Sequence, residues 1–156
     1  MNVTSLLIGL ASSAVGSLGF ALIFRLRPKY LVPASFGGML GFAVYFLFDV
    51  LGLHIFATNF LASLAAAIFS EICARVLKAP SVVFLIPCII PLVPGSLLYY
   101  TMSHLLSGSY SSAFSYLTKT LLTALGIAGG LIVVSVLVSV ITRLRLNRLK
   151  RQSKRK

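Results

Sequence analysis

The chain has 156 residues, of which 58% are hydrophobic, and its formal net charge is +12. Only 10% of its residues are charged, against about a quarter in a soluble domain. This composition excludes a soluble globular protein and indicates an all-α integral membrane protein. The basic residues lie at the edges of apolar runs, which is typical of membrane topology signals. A nucleic-acid partner is therefore not expected.

Five apolar segments are each long enough to cross the roughly 30 Å hydrocarbon core of a bilayer. We predict transmembrane helices over residues 3–24, 31–51, 55–77, 81–106 and 118–142. Residues 1–142 then form one transmembrane helical domain, and residues 143–156 form a basic cytoplasmic tail. The stretch SGSYSSAFSY, before the last segment, is predicted to be the longest polar connection. The first segment does not resemble a signal peptide, because its basic residues follow the apolar run.

The basic residues indicate the orientation in the membrane, since cytoplasmic loops carry an excess of Lys and Arg. With the N-terminus outside and the C-terminus in the cytoplasm, only Lys119 of the fourteen basic residues lies outside. Eight of the inner ones are in the tail, and the other five are Arg25, Arg27, Lys29, Arg75 and Lys78. We therefore expect a multi-pass protein of the plasma membrane whose tail contacts anionic lipid.

Small residues recur at helical spacing in three of the five segments. They are Gly9, Ser13 and Ser17 in the first segment, Gly37 and Gly41 in the second, and Gly126 and Gly130 in the fifth. Small residues let helix backbones approach closely in lipid, where packing and interhelical hydrogen bonds drive association. The pattern predicts a tightly packed bundle, and a homo-oligomer or a second protein against one face is a further expectation.

The fourth segment contains many prolines for a membrane helix. Four of the chain's six prolines, Pro80, Pro87, Pro91 and Pro94, lie within residues 80–102. Proline removes a backbone donor and clashes with the preceding turn, so the helix is predicted to break at the stretch PLVPGS, near the bilayer midplane. Two interpretations are open. Either the second half-helix presents free N–H groups to an anionic ligand, as in many transporters, or the break is a kink in a packing helix.

The stretch SEICARVLKAPSVVFLIPCIIPLVPGSLLYYTM (residues 70–102) also resembles a family signature. It has a Glu and an Ala-Arg pair before a Lys-x-Pro turn, a VFLIP run, and PLVPGS followed by a tyrosine. These features are similar to the threonine/serine exporter family, specifically to its small membrane component. The resemblance extends over the five-span layout, about residues 3–142, but only this stretch is specific.

The resemblance implies that the chain is one half of a ten-span exporter. As given, it matches the split form of the family, in which a larger partner subunit supplies the other half. The resemblance further implies export of small amino acids, or of dicarboxylates in some members, driven by the proton gradient. Two rival functions stay open: a membrane scaffold that does not transport, and a small self-assembling channel.

The candidate substrate-binding residues surround the predicted break. They are Pro91, Pro94, Gly95, Ser96 and Tyr99. Pro94 suits the first turn of a new helix, and Gly95 and Ser96 are expected to offer backbone donors to a substrate carboxylate. Tyr99 lies a turn beyond the break, where it either closes over a substrate or joins an aromatic belt.

The candidate residues for coupling or gating lie in the third segment. Ionisable groups inside a bilayer are functional candidates by default. Glu71 either takes part in proton coupling or forms a structural pair with Arg75, four residues further on. Asn59 either bridges helices or lines a pathway. Asp49 and His54 flank the outer turn, and a solvated, structural role is expected for both.

No enzyme, metal site or cofactor is indicated by the sequence. It shows no base at motif spacing from a nucleophile, no cluster of His, Cys and carboxylate residues, and no phosphate-binding loop. Cys73 and Cys88 lie in apolar segments and are interpreted as small buried hydrophobic residues.

Overall fold

Helices account for most of the computed structural model, which describes residues 3–153 and the side chains of residues 4–144. They are α1 (Val3–Ile23), α2 (Pro28–Val50), α3 (Ile55–Leu77), α4 (Val82–Ile89), α5 (Gly95–Leu106) and α6 (Tyr110–Ser153). A 3₁₀ turn, Ile90–Leu92, lies between α4 and α5. No strand occurs within residues 3–153. The predicted all-α membrane fold is confirmed.

Four of the described helices, α1, α2, α3 and α6, are long and apolar enough to cross a bilayer. Residues Val82–Leu92 and Gly95–Leu106 pass the same test only as a pair, which is bent by 47° at the break. The predicted interruption of the fourth span is therefore present. A bent pair of this kind either crosses the bilayer or turns back within it.

The packing of α6 against α3 distinguishes these two topologies. A methyl group added at Gly126 would meet Phe56 and Asn59, and one added at Gly130, a turn later, would meet Phe60 and Ser63. Contacts that advance in the same direction along both helices mean that α3 and α6 run parallel. Because α4 begins where α3 ends, the bent pair must carry the chain back to the opposite end of the bundle. The pair is thus one crossing, and the helices make five.

One end of the bundle, here termed the basic end, gathers the ends of three helices. Tyr30, Ala74 and Phe84 form a buried cluster in which α2, α3 and α4 meet. The flanking basic residues are Arg25, Arg27, Lys29, Arg75 and Lys78, and the parallel course of α6 brings Arg143 to the same end. This grouping agrees with the predicted charge distribution. The tail side chains beyond residue 144, with their predicted lipid contact, lie outside the described residues.

Helices α1 and α3 both end at the basic end, and each is followed by a basic residue whose backbone is left-handed. Arg25 after α1 and Lys78 after α3 have φ angles of 51° and 50°, values that favour glycine. After Lys78, the Ala79 N–H donates to the Ala74 carbonyl at 3.0 Å, which is the Schellman arrangement. A cation at this position also interacts favourably with the negative end of the helix dipole.

The start of α6 differs from the prediction. The stretch SGSYSSAFSY was expected to be a connection, but α6 begins at Tyr110 and only residues 107–109 connect it to α5. The reason is tertiary packing, which overrides the low helix propensity of the serines. Ala113 is buried, and the Tyr116 ring stacks on His104 of α5 with centroids 5.3 Å apart. At its other end α6 continues to Ser153, so the predicted boundary at residue 142 does not end the helix.

Helix α5 and the start of α6 form a hairpin, residues 95–125, whose outer part projects beyond the start of α3. The first turns of α3 lie at the level of Gly126, and the 16 residues of α6 before that glycine extend about 24 Å at 1.5 Å per residue. Apolar and aromatic side chains remain exposed on the hairpin, among them Tyr99, Leu106, Tyr110 and Phe114.

The small residues lie where the helices approach most closely. A side chain added at Gly37 would overlap Cys88 and Phe69, and one added at Gly38 would overlap Ser17. The Ser17 hydroxyl is fully buried and has no hydrogen-bond partner among the described residues. The prediction of a tightly packed bundle is confirmed.

A glycine-to-alanine pair tests this packing. A methyl group at Gly130 would lie 2.6 Å from the Phe60 carbonyl oxygen, whereas nothing lies within 4 Å of one added at Gly19. Gly130→Ala should therefore lower the free energy of unfolding by about 1–3 kcal/mol. Gly19→Ala should be neutral or stabilising, because alanine favours the helix. Thermal unfolding of both variants in detergent measures the difference, and equal midpoints would contradict the α3–α6 packing.

The five-crossing topology predicts that the α5–α6 connection and the end of α6 lie on opposite faces of the membrane. Single cysteines at Ser109 and Ser153, in a background without Cys73 and Cys88, should react with an impermeant thiol reagent from opposite sides. Labelling in intact cells and in inverted vesicles gives the comparison. Reaction of both positions from the same face would rule out five crossings.

Candidate functional site

A cavity of about 370 Å³ opens where the break in the fourth span meets three other helices. Its walls come from α2, α3, the break itself, the start of α5, and α6. The residues that line it are Phe42, Tyr45, Asp49, Ile55, Asn59, Pro91, Leu92, Val93, Pro94, Ser96, Leu97, Lys119 and Thr123. Four of the predicted site residues, Pro91, Pro94, Ser96 and Asn59, are thus brought together in one cavity.

The backbone at the break turns tightly and then starts a new helix. Pro94 has φ −77° and ψ 52°, and the Gly95 N–H donates to the Val93 carbonyl at 2.8 Å. These values describe an inverse γ-turn. The next backbone hydrogen bond runs from the Leu98 N–H to the Pro94 carbonyl at 3.0 Å. Helix α5 therefore begins directly after a turn that proline imposes.

This geometry decides which backbone donors are free. Helices leave their first N–H groups without internal partners, but the N–H of Gly95 is already occupied by Val93. The N–H groups of Ser96 and Leu97 have no partner among the described residues, and no side chain caps α5. The donor pair is consequently Ser96 and Leu97 in place of the expected Gly95 and Ser96. Gly95 does not line the cavity.

Two nearly buried polar side chains lie in the cavity wall. Asn59 is 3% exposed, and its side-chain NH₂ donates to the Ile55 carbonyl at 2.8 Å. Thr123 is 4% exposed and forms no side-chain hydrogen bond within residues 4–144. Neither side chain contributes a fully buried, unpaired polar atom, so their free hydrogen-bonding groups stay accessible at the cavity wall. The Thr123 hydroxyl and the remaining hydrogen-bonding capacity of Asn59 are therefore available to a ligand.

Opposite charges line the same cavity. Asp49 belongs to the last turn of α2 and Lys119 belongs to α6, and both side chains are exposed. No salt bridge joins them within the described part of the chain. The Lys119 ammonium lies 5.5 Å from the centroid of the Tyr116 ring. Both residues were missed as site residues, although each is a charge at the end of an apolar segment on the side to which the broken span leads.

The cavity does not lie at the centre of the bundle. Pro91 packs beside Gly38, in the middle of α2, but Asn59 is only four residues from the start of α3, or about 6 Å along the helix. The break therefore starts at mid-depth and ends near the bundle end opposite the basic end. The predicted break in the fourth span thus extends from the middle of the bundle toward that end.

The other predicted site residues lie outside this cavity. Tyr99 is 68% exposed and packs edge-on against Tyr100, with centroids 5.6 Å apart. Glu71 is half-buried on α3, and Arg75 is exposed. Within residues 4–144 no salt bridge joins Glu71 to Arg75. The structural pair, one of the two interpretations of Glu71, is therefore not formed in this conformation.

No metal site accompanies the cavity in the described residues, where no three His, Cys, Asp or Glu side chains come together. What the site offers is a helix N-terminus, buried polar groups and both signs of charge within a membrane bundle. A polar cavity built around a broken helix is typical of a membrane transporter.

The chain belongs to a known family of such proteins. The family model described as threonine/serine exporter, ThrE, matches residues 9–137. This range includes most of the five spans and every residue that lines the cavity. No solved structure matches the chain significantly. The resemblance noted at residues 70–102 is thus confirmed, and the chain is a multi-pass membrane protein of the threonine/serine exporter family.

Proposed function

We propose that the chain is the small subunit of an exporter for small amino acids such as threonine and serine, and that the cavity is its substrate site. The observation that carries the proposal is the convergence of the proline break, two free backbone donors and two buried polar side chains on one cavity. A scaffold would need the break, but it would not need free backbone donors and polar side chains around a void. At about 370 Å³ the cavity lies at the small end of ligand pockets.

The start of α5 binds the substrate carboxylate in this proposal. The Ser96 and Leu97 N–H groups point from a helix N-terminus, where the dipole favours an anion. Hydrogen bonds to a charged group are stronger than those between neutral groups, and a dry site strengthens them further. Asn59 and Thr123 then offer partners to a hydroxyl on the substrate side chain.

The break also supplies a hinge for alternating access. Val93 is exposed, and no atom lies within 4 Å of a methyl group added at Gly95. Few side chains therefore hold the junction between α4 and α5, and hinge positions are usually such element ends. Because α5 packs on α6 through the His104–Tyr116 stack, α5 moves together with the start of α6. A swing of α5 at this point opens or closes the cavity.

Proton coupling is assigned to Glu71. It is half-buried on α3, six residues before the helix ends at Leu77, which is about 9 Å of helix. It forms no salt bridge within the described residues, and an ionisable side chain inside a membrane helix is a functional candidate by default. The proposed setting is the plasma membrane, with the N-terminus outside and the C-terminus in the cytoplasm.

A larger partner subunit completes the exporter in this proposal. The α5–α6 hairpin supports it, because the hairpin carries exposed apolar side chains beyond the end of α3. Spans α1 to α3 have 21–23 residues each, so they already match the hydrocarbon thickness. The hairpin therefore rises toward the membrane surface, where lipid tails do not cover it and a protein surface can.

Replacement of Ser96 tests the carboxylate site. Proline is tolerated in the first turn of a helix, where the missing N–H has no internal partner. Ser96→Pro removes the free donor, and substrate affinity should fall roughly 10- to 100-fold, as expected for a hydrogen bond to a charged group of about 1.5–3 kcal/mol. Binding of radiolabelled threonine to the complex purified with its partner measures the change.

Ser96→Ala is the matched control. It removes the hydroxyl but keeps the backbone N–H, and threonine binding should stay close to that of the unmodified chain. Membrane abundance and thermal unfolding are compared for both variants. Unchanged threonine binding by a well-folded Ser96→Pro variant would mean that the substrate site lies elsewhere.

Replacement of Glu71 tests coupling. Glu71→Gln should reduce efflux driven by a proton gradient to the background of cells without the chain, while its membrane abundance stays normal. Arg75→Gln, on the same helix, is the control and should retain most of the efflux. If Glu71→Gln keeps full efflux but both variants lose thermal stability, the structural pair with Arg75 is the correct interpretation.

A further inference from the structure

Asp49 occupies a position that helix stability does not explain. It lies in the last turn of α2, next to the C-terminal residue Val50. The dipole at a helix C-terminus disfavours a negative charge. The Asp49 side chain forms no hydrogen bond and no salt bridge within residues 4–144, and it lines the cavity. The carboxylate is exposed at the cavity wall, so a ligand in the cavity can reach it.

The charges around the cavity are divided between two sides. The free N–H groups of Ser96 and Leu97 form an anion-binding side, and Lys119 adds a positive charge. Asp49 is the acidic residue among the lining residues, since the chain's other carboxylate side chain, Glu71, lies outside the cavity. Asp49 is thus the carboxylate that a cationic group of a ligand in the cavity can contact.

We propose that the Asp49 carboxylate binds the α-ammonium group of a zwitterionic substrate, while Ser96 and Leu97 hold its carboxylate. This inference rests on the proposed function, and it makes Asp49 the residue that separates amino acids from organic acids. A dicarboxylate would place its second negative charge against Asp49, which is unfavourable. The nearly buried Thr123 and Asn59 then contact the part of the substrate between its charged ends.

Two ligands that differ by one amino group provide the test. L-Threonine and 3-hydroxybutyrate share the carboxylate and the hydroxyl, but only threonine carries the ammonium group. In the full chain purified with its partner, Asp49→Asn should weaken threonine binding roughly 10- to 100-fold. The same variant should bind 3-hydroxybutyrate as well as the unmodified chain or better. Isothermal titration with each ligand gives both dissociation constants.

His54→Asn is the matched control, because it changes a polar side chain beside the same turn but outside the cavity and keeps a residue that caps α3. It should leave the ratio of the two dissociation constants unchanged. Asp49→Ser gives a second neutral variant in case Asp49→Asn does not fold. An Asp49 variant that weakens both ligands equally, or neither, overturns the ammonium assignment.

Ser96→Pro separates this failure from failure of the proposed site. In one outcome, Ser96→Pro weakens the binding of both ligands while the Asp49 variants leave the ratio of the two dissociation constants unchanged. In that case the cavity binds substrate and only the role of Asp49 is wrong. If neither the Ser96 nor the Asp49 variants change binding, the cavity itself is not the substrate site, and both proposals fall.

Discussion

The rest of the structure depends on one constraint, that backbone polar groups inside a bilayer must find partners within the protein. The prolines of the fourth span lack backbone N–H donors, and the lipid tails around the span offer no hydrogen-bond partner in their place. A 3₁₀ turn and an inverse γ-turn, closed by the Gly95–Val93 hydrogen bond of 2.8 Å, satisfy part of this backbone. The groups left over, Ser96 and Leu97, line a cavity that polar side chains share. The constraint thus converts a broken helix into a candidate binding site.

Close helix approach makes that arrangement possible. At Gly126 and Gly130 the absence of a side chain lets the α6 backbone lie against the backbone of α3. This contact fixes the two helices as parallel, so the bent fourth span has to cross. It also brings Thr123 and Lys119 of α6 to the same cavity as Asn59 and the last turn of α2. Small residues that pack helices therefore also position the walls of the cavity.

The candidate site was predicted in part. The prolines, Ser96 and Asn59 were found because their signals are local: proline breaks a helix, and a polar residue in an apolar segment needs a partner. Asp49 and Thr123 carry no such signal. Asp49 looks like an ordinary residue near a turn, and Thr123 like one of many threonines in an apolar helix. Their common cavity depends on how α2 and α6 are placed in space.

The sequence by itself determined the all-α membrane class, five apolar spans, the break at PLVPGS, the basic end and the family, because hydropathy, proline chemistry and charge act over a few residues. Tertiary structure alone decided that α6 starts at Tyr110, that Gly95 donates within its own turn, and that Asp49, Asn59 and Ser96 share a cavity which excludes Tyr99 and Glu71. These features depend on the register between helices distant in the chain, and register follows from side-chain packing that no local pattern specifies.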